Sequence, residues 1–387
     1  MKILFLMRFW PYFGGGETVT RLLIGEFIRR GYDICVAYWW DRNENRTYSD
    51  NEKVCKFKMQ VPPPSSTNDI APSCYESVYQ QISDFINKHN VEVVINQWWP
   101  YEIFAKGFKV PLISCHHLSV LKAENSILKK VYHSIFSRRY YAKVFAKLSG
   151  LYKVSDALVF LARSYQCEFE KYAPSFNKEK ETFFIHNPST YSGDTTTCPN
   201  KKKEILFVGR IYENHKKVSR LLYVWKNLLE LGYSDWKLKI IGDGPDLDMV
   251  KLLSSRLGLH NIEFLGAKDP YEDYLTASIF VLTSQVEGWP MTIVEAQHFG
   301  AVPVVMNNFS ALSEMLSNHS GIIVDSSDSQ KMALEIAKLI EDKKKMALYS
   351  QNAIRQSELY EVSKICGEWD ILIKNLISKF NENHLLQ

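Results

Sequence analysis

The sequence predicts an α/β protein built as two Rossmann-like, doubly wound domains that face a central cleft, with a C-terminal helix returning to the first domain. Three observations carry this expectation. Short apolar runs alternate with segments of helical periodicity, the signature of parallel strands covered on both faces by helices. A polar, turn-rich stretch from Thr190 to Lys203 divides that alternation into two sets. The chain of 387 residues also exceeds a single core, at roughly 150 residues per domain. The expected domains are residues 1–190, residues 191–362, and a closing helix over 363–387.

The first domain opens with the apolar run Ile3 to Leu6, a strand, followed by the turn Pro11-Tyr-Phe-Gly-Gly-Gly16 and a helical pattern from Glu17 to Arg30. Gly31 ends that helix and Ile34 to Tyr38 reads as the next strand, completing a βαβ unit. Val91 to Asn96, Pro111 to Cys115 and Ala157 to Phe160 are further buried-strand candidates. The second domain repeats the alternation. Strands are expected at Ile205 to Val208, Leu238 to Ile241, Ile262 to Leu265, Ile279 to Leu282, Val302 to Met306 and Gly321 to Val324. Helices are expected from about Val218 to Leu231 and from Leu247 to Leu257. In the tail, Trp369, Ile371, Leu372, Leu376 and Ile377 recur at helical spacing and would pack on the first domain.

Composition narrows the function classes. A hydrophobic content of 46% against 23% charged residues describes a folded chain rather than a disordered one. A net charge of +4 is too small to argue for nucleic acid. The seven cysteines are scattered without a C-x-x-C pair, as expected of reduced thiols rather than a disulfide framework or zinc site. No run reaches the roughly 18 apolar residues of a membrane span, and the apolar start is too short for a signal peptide. A cytoplasmic protein is expected, peripheral to the inner face of the membrane. Residues 122–147 motivate the second clause: seven basic side chains are interleaved there with Leu128, Val131, Tyr132, Ile135 and Phe136. Such a segment is either a surface for anionic lipid headgroups or a plain helix with a solvated basic face.

The segment Glu287-Gly-Trp-Pro-Met-Thr-Ile-Val-Glu295 sets two carboxylates eight residues apart around a turn that opens a helix from Thr292. The first amides of a helix lack partners inside it and attract anions. Glu295, expected in the first turn, can accept hydrogen bonds from vicinal sugar hydroxyls, and Glu287 sits at the loop mouth. Helix-start carboxylates are also favoured by the helix dipole alone. Two carboxylates can further act as an acid and nucleophile pair. Asp246-Leu-Asp248 spells a metal-binding D-x-D, but at a helix start, where acids are favoured anyway; no metal site is expected.

In order along the chain, several motifs resemble those of the large family of retaining glycosyltransferases of GT-B architecture, usually called family 4 (glycosyl transferases group 1). They are Gly14-Gly15-Gly16-Glu17, Arg29-Arg30-Gly31-Tyr32-Asp33, His186-Asn187-Pro188, Val208-Gly209-Arg210 with Lys216-Lys217, Ile241-Gly242-Asp243-Gly244-Pro245, and Glu287 to Glu295. The resemblance implies roles for these residues. Arg210 and Lys216 would neutralise the diphosphate of a sugar nucleotide; because the spacing is one residue longer than usual, Lys217 is the alternative phosphate lysine. Gly15, Gly16 and Gly242 would admit phosphate or sugar close to the backbone. Glu295 would bind the ribose diol, Glu287 would face the donor sugar, and Trp289, Met291 and Thr292 would present amides. His117 would lie near the reacting sugar; the adjacent His116 would point the other way in an extended chain, and one of the two is structural.

The family's chemistry displaces the acid and nucleophile reading. It retains anomeric configuration by front-face attack, in which the leaving phosphate helps deprotonate the acceptor, and it requires no cofactor or metal. The expected activity is transfer of a hexose or N-acetylhexosamine from a nucleotide sugar, most simply UDP-linked. The acceptor would be a growing glycan or lipid-linked glycan of cell-surface polysaccharide or lipopolysaccharide. Two rivals remain. A nicotinamide oxidoreductase shares the glycine turn, but Val19 stands where its third glycine belongs. A non-catalytic sugar-nucleotide-binding or membrane scaffold protein would share the whole fold.

Overall fold

The computed structural model describes residues 1–11, 14–40, 51–61, 70–119, 146, 148–172, 181–193, 201–325 and 327–385. The chain forms two compact units: one holds the described residues of 1–190 together with 362–385, the other those of 191–361.

In the first unit seven parallel strands run β1 (Lys2–Phe9), β2 (Asp33–Trp40), β3 (Cys55–Lys58), β4 (Val93–Asn96), β5 (Leu112–His116), β6 (Ala157–Phe160) and β7 (Thr182–Phe184), in spatial order β3-β2-β1-β4-β5-β6-β7. Chain order reverses between β1 and β4, where Ile3 faces Val93 in register. That reversal opens a crevice at the carboxyl ends of the two strands, the usual ligand position of an open α/β sheet. Helix Gly15–Arg29 follows β1, and its buried face includes Val19, Leu23, Ile24 and Phe27. The closing helix Val362–Leu385 belongs to this unit. Arg30 Nη2 donates to Ser363 O at 2.5 Å and Cys366 Sγ to Leu23 O at 3.8 Å, so the tail is held on the first helix by backbone contacts as well as apolar ones.

The second unit has six parallel strands: β8 (Lys202–Val208), β9 (Lys237–Ile241), β10 (Ile262–Gly266), β11 (Ala277–Leu282), β12 (Val302–Met306) and β13 (Ile322–Val324). Their order is β10-β9-β8-β11-β12-β13, again with a reversal, between β8 and β11. Ile205, Leu206 and Phe207 of β8 and Ile279 to Leu282 of β11 are at most 1% exposed. Each such side chain stabilises the fold by about 1.5–3 kcal/mol of apolar burial. The rigid pair β8 and β11 is therefore the floor on which the loops beyond their ends are placed.

Candidate active site

In the second unit the loops leaving β8 and β11 are stitched together across the strand-order reversal. Thr283, fully buried and first beyond β11, donates its hydroxyl to Lys216 O at 3.2 Å and Lys217 O at 3.0 Å. The Gln285 amide donates to His215 O at 2.6 Å. This brings Lys216 Nζ to 2.6 Å from Glu287 Oε1, an ion pair whose side chains are 18% and 11% exposed. Lys217 is left-handed (φ 51°) at the cap of helix Val218–Glu230, while the carboxylate of Glu213 takes the Ser219 amide at 2.8 Å and hydroxyl at 2.5 Å. Of the two lysines, Lys216 is the one joined to the carboxylate of the second loop. Arg210 is exposed, with its guanidinium 5.7 Å from the centre of the Tyr212 ring.

The helix of the two-carboxylate segment spans Met291–His298, one residue earlier than expected, with Pro290 as its cap. Glu295 is then its fifth residue, and no acid stands in the first turn, so dipole compensation does not account for Glu295. Tyr274 OH donates to Glu295 Oε2 at 2.8 Å. No side chain caps the helix, which leaves the leading amides of Met291 and Thr292 to other partners. Thr292 Oγ1 is buried with no hydrogen-bond partner among the described residues, which suits a polar ligand at this turn. Trp289 is 4% exposed and meets Tyr360 edge-on at 5.2 Å, so its indole faces the interior of the unit.

The glycines divide into two kinds. At Gly242 (φ 145°) a Cβ would lie 1.8 Å from Gly209 O, and at Gly244 it would lie 2.2 Å from Ile211 O. The β9 turn thus clasps the loop after β8, and Gly242 is required by that backbone contact whatever binds nearby. Asp246 belongs to the same clasp, its Oδ2 accepting from the Glu213 amide at 2.7 Å. At Gly15, by contrast, a Cβ would meet nothing within 4 Å. A Cβ at Gly16 would lie 2.9 Å from Trp98 Nε1, across the reversal of the first sheet.

His117, one residue past β5, stacks on Trp98 with ring centres 4.5 Å apart and contacts Gln97 Oε1 through Nε2 at 2.5 Å. With Nε2 donating, Nδ1 is left as an acceptor. Burial, with His116 adding to it, pushes the imidazole pKa down to about 3, so the ring is neutral near pH 7. A neutral acceptor suits a sugar hydroxyl better than it suits developing negative charge. His116 turns the other way, edge-on to Phe160 at 5.9 Å.

Sequence reasoning passed over Gln97, Trp98, Thr283, Tyr274 and Arg220. Arg220 donates through Nη2 to Gln285 Oε1 at 2.8 Å, and its Nη1 is buried without a partner among the described residues. Position just beyond a buried strand was the available signal for Gln97, Trp98 and Thr283. Residues 122–147 lie, Ala146 apart, outside the described residues. Among the described residues no helix is long and apolar enough to cross a membrane.

Comparison with known proteins follows the same lines. Residues 194–356 match the family described as glycosyl transferases group 1. The chain is 24% identical over 360 residues to an uncharacterized glycosyltransferase of Haemophilus influenzae, covering 92% of this chain and 95% of the relative. It is 26% identical to a Campylobacter jejuni enzyme over 69% of each chain; that enzyme is named GalNAc-alpha-(1->4)-GalNAc-alpha-(1->3)-diNAcBac-PP-undecaprenol alpha-1,4-N-acetyl-D-galactosaminyltransferase. The solved structure of Anabaena Alr3699/HepE in complex with UDP and glucose superposes with a TM-score of 0.65, covering 97% of this chain and 99% of that one at 18% identity. The two parallel sheets with their helices are the GT-B fold.

Proposed function

We propose that this glycosyltransferase, of group 1 and of GT-B fold, moves a hexose or N-acetylhexosamine from a UDP-sugar to a growing, lipid-linked glycan with retention of anomeric configuration. One observation carries the donor assignment: the Lys216–Glu287 pair, closed at 2.6 Å across the β8 and β11 loops, stands at the strand-order reversal of the second unit. An ammonium held there by a short pair, an exposed guanidinium at Arg210 and the uncapped helix amides suit a diphosphate. Glu295 suits the ribose diol. The Anabaena neighbour's bound UDP supports the choice of nucleotide, and the Campylobacter relative's polyprenol-linked substrate supports the choice of acceptor.

In this reading the acceptor hydroxyl attacks the anomeric carbon on the face from which UDP departs, and a departing phosphate oxygen takes its proton. Arg210 and Lys216 stabilise the charge that grows on the diphosphate as the glycosidic bond breaks. In this reading that positive charge is supplied by side chains rather than by a metal. Glu287 meets the donor sugar, and the neutral imidazole of His117 accepts a sugar hydroxyl. The test is calorimetric: Arg210→Ala and Glu295→Ala should each weaken UDP binding, and unchanged affinity in both would refute the assignment. A thermal-shift screen of nucleotide sugars then names the donor, since a bound ligand raises stability by mass action.

A further inference from the structure

Glu295 is oriented from outside its own helix. Tyr274, in helix Tyr271–Thr276, is 0% exposed and donates its hydroxyl to Glu295 Oε2 at 2.8 Å. Its ring is fixed on several sides: stacked on Phe299 at 6.0 Å, edge-on to Tyr191 at 6.1 Å and tilted against Phe280 at 6.3 Å. The main chain is tied as well, the amide donating to Pro270 O at 2.9 Å and the carbonyl accepting from Lys201 Nζ at 3.1 Å. Burial, and then the neighbouring carboxylate, raise the phenol pKa well above 10, so the hydroxyl remains a donor throughout the working range of pH. An ionised carboxylate offers about four acceptor positions. A rigid donor on one of them fixes the plane of the group and so the direction of the rest.

We propose that Tyr274 is a positioning residue for nucleotide recognition: through its bond to Glu295 Oε2 it aims the carboxylate at the ribose diol and sets the preference for ribonucleoside over 2′-deoxyribonucleoside diphosphates. The inference rests on the assignment of Glu295 made above. A tyrosine buried only to fill space would leave that preference alone, because packing does not distinguish two ligands that differ by one hydroxyl.

The experiment is calorimetric titration of UDP and 2′-deoxy-UDP into wild type, Tyr274→Phe, Tyr191→Phe and Glu295→Ala. Tyr274→Phe keeps the ring and removes one charge-assisted hydrogen bond, so UDP should bind about fivefold to tenfold more weakly. The loss for 2′-deoxy-UDP should be smaller, so the ratio of the two affinities narrows. The ratio is read within each variant, so a general loss of stability does not move it. Tyr191→Phe removes a hydroxyl from the same aromatic layer and should keep the wild-type ratio. If Tyr274→Phe keeps that ratio while Glu295→Ala narrows it, or if Tyr191→Phe narrows it equally, the role of Tyr274 is refuted and the ribose assignment stands. If Glu295→Ala leaves both affinities and their ratio unchanged, the assignment of Glu295 itself fails.

Discussion

Replacing either member of the Lys216–Glu287 pair separates its structural role from its role toward a ligand. The pair is short, 2.6 Å, and mostly withdrawn from water at 18% and 11% exposure, between the surface and buried limits. Exposed pairs are worth about 0–1 kcal/mol, and breaking a buried one costs about 3–5 kcal/mol. An intermediate loss of about 2 kcal/mol is therefore expected for Glu287→Gln or Lys216→Met without ligand. In a unit of this size that lowers the melting temperature by about 4–8 °C. UDP distinguishes the two variants. Lys216→Met keeps the apolar stem but removes the ammonium, and losing a charge-assisted phosphate contact of about 1.5–3 kcal/mol weakens UDP about 10- to 150-fold. Glu287→Gln removes the competing carboxylate and leaves the ammonium to the phosphate, so its UDP affinity equals or exceeds that of wild type while sugar transfer falls. Melting curves and calorimetric titration of both variants decide the matter. If Lys216→Met is destabilised as expected yet binds UDP with unchanged affinity, the lysine is a strut for Glu287 and the phosphate assignment is wrong.

The glycines give a paired test by thermal unfolding and a transfer assay. Gly242→Ala forces a Cβ to 1.8 Å from Gly209 O at φ 145° and should cost at least about 3 kcal/mol, whereas Gly15→Ala enters open space and should change stability by less than about 1 kcal/mol while lowering transfer. A Gly15→Ala enzyme with full activity would make that turn structural. For His117, with its pKa pushed from 6.5 to about 3, the folded state binds fewer protons than the unfolded chain between those values. Its contribution is fully present above pH ~6.5 and is lost as pH falls toward ~3, with a slope of up to about 1.4 kcal/mol per pH unit. Denaturant titration at pH 7 and pH 5 should show a larger drop for wild type than for His117→Asn, and equal drops would remove the basis for a neutral, half-buried imidazole. Replacing Lys129, Lys130, Arg138 and Arg139 with glutamine should reduce co-sedimentation with anionic vesicles, and unchanged sedimentation would leave residues 122–147 without a membrane role.

What the sequence revealed and what it hid follow from the physics of parallel sheets. Inner strands such as β8, β11 and β12 carry apolar runs, Ile205 to Val208, Ile279 to Leu282 and Val302 to Met306, so they were legible. The edge strands β3 (CKFK) and β7 (TFF) were missed: three of the four residues in β3 are exposed and its two lysines erase the apolar signal, while β7, at three residues, is too short to show a period. Gly15 and Gly242 look alike in sequence, because the carbonyl that makes Gly242 obligatory comes from a loop more than thirty residues earlier. Lys216 and Glu287 were each picked out by motif, but their pairing spans 71 residues and exists because β8 and β11 are neighbours in the sheet. Tyr274 left no trace, since a tyrosine in a short helix is ordinary until the carboxylate it faces is known.

The geometry also bears on whether Glu287 and Glu295 form an acid and nucleophile pair. Each carboxylate is already bound by a donor from a different element. Glu287 is held by the ammonium of Lys216 from the β8 loop, and Glu295 by the phenol of Tyr274 from the helix before β11. A nucleophile must bring an oxygen free of donors to an anomeric carbon, and a general acid must carry a proton toward a leaving oxygen. Here the donors instead hold both groups as fixed acceptors, and Tyr274 is rigid on several sides. Fixed acceptors suit hydroxyl recognition, where direction matters and no proton need move. On the proposed assignment, the eight-residue spacing separates two recognition points, one for the ribose and one for the sugar, along the turn and first part of a single helix. On this argument Glu287→Gln should keep measurable transfer, since an amide oxygen still accepts a hydroxyl, whereas a catalytic nucleophile replaced by glutamine would leave none.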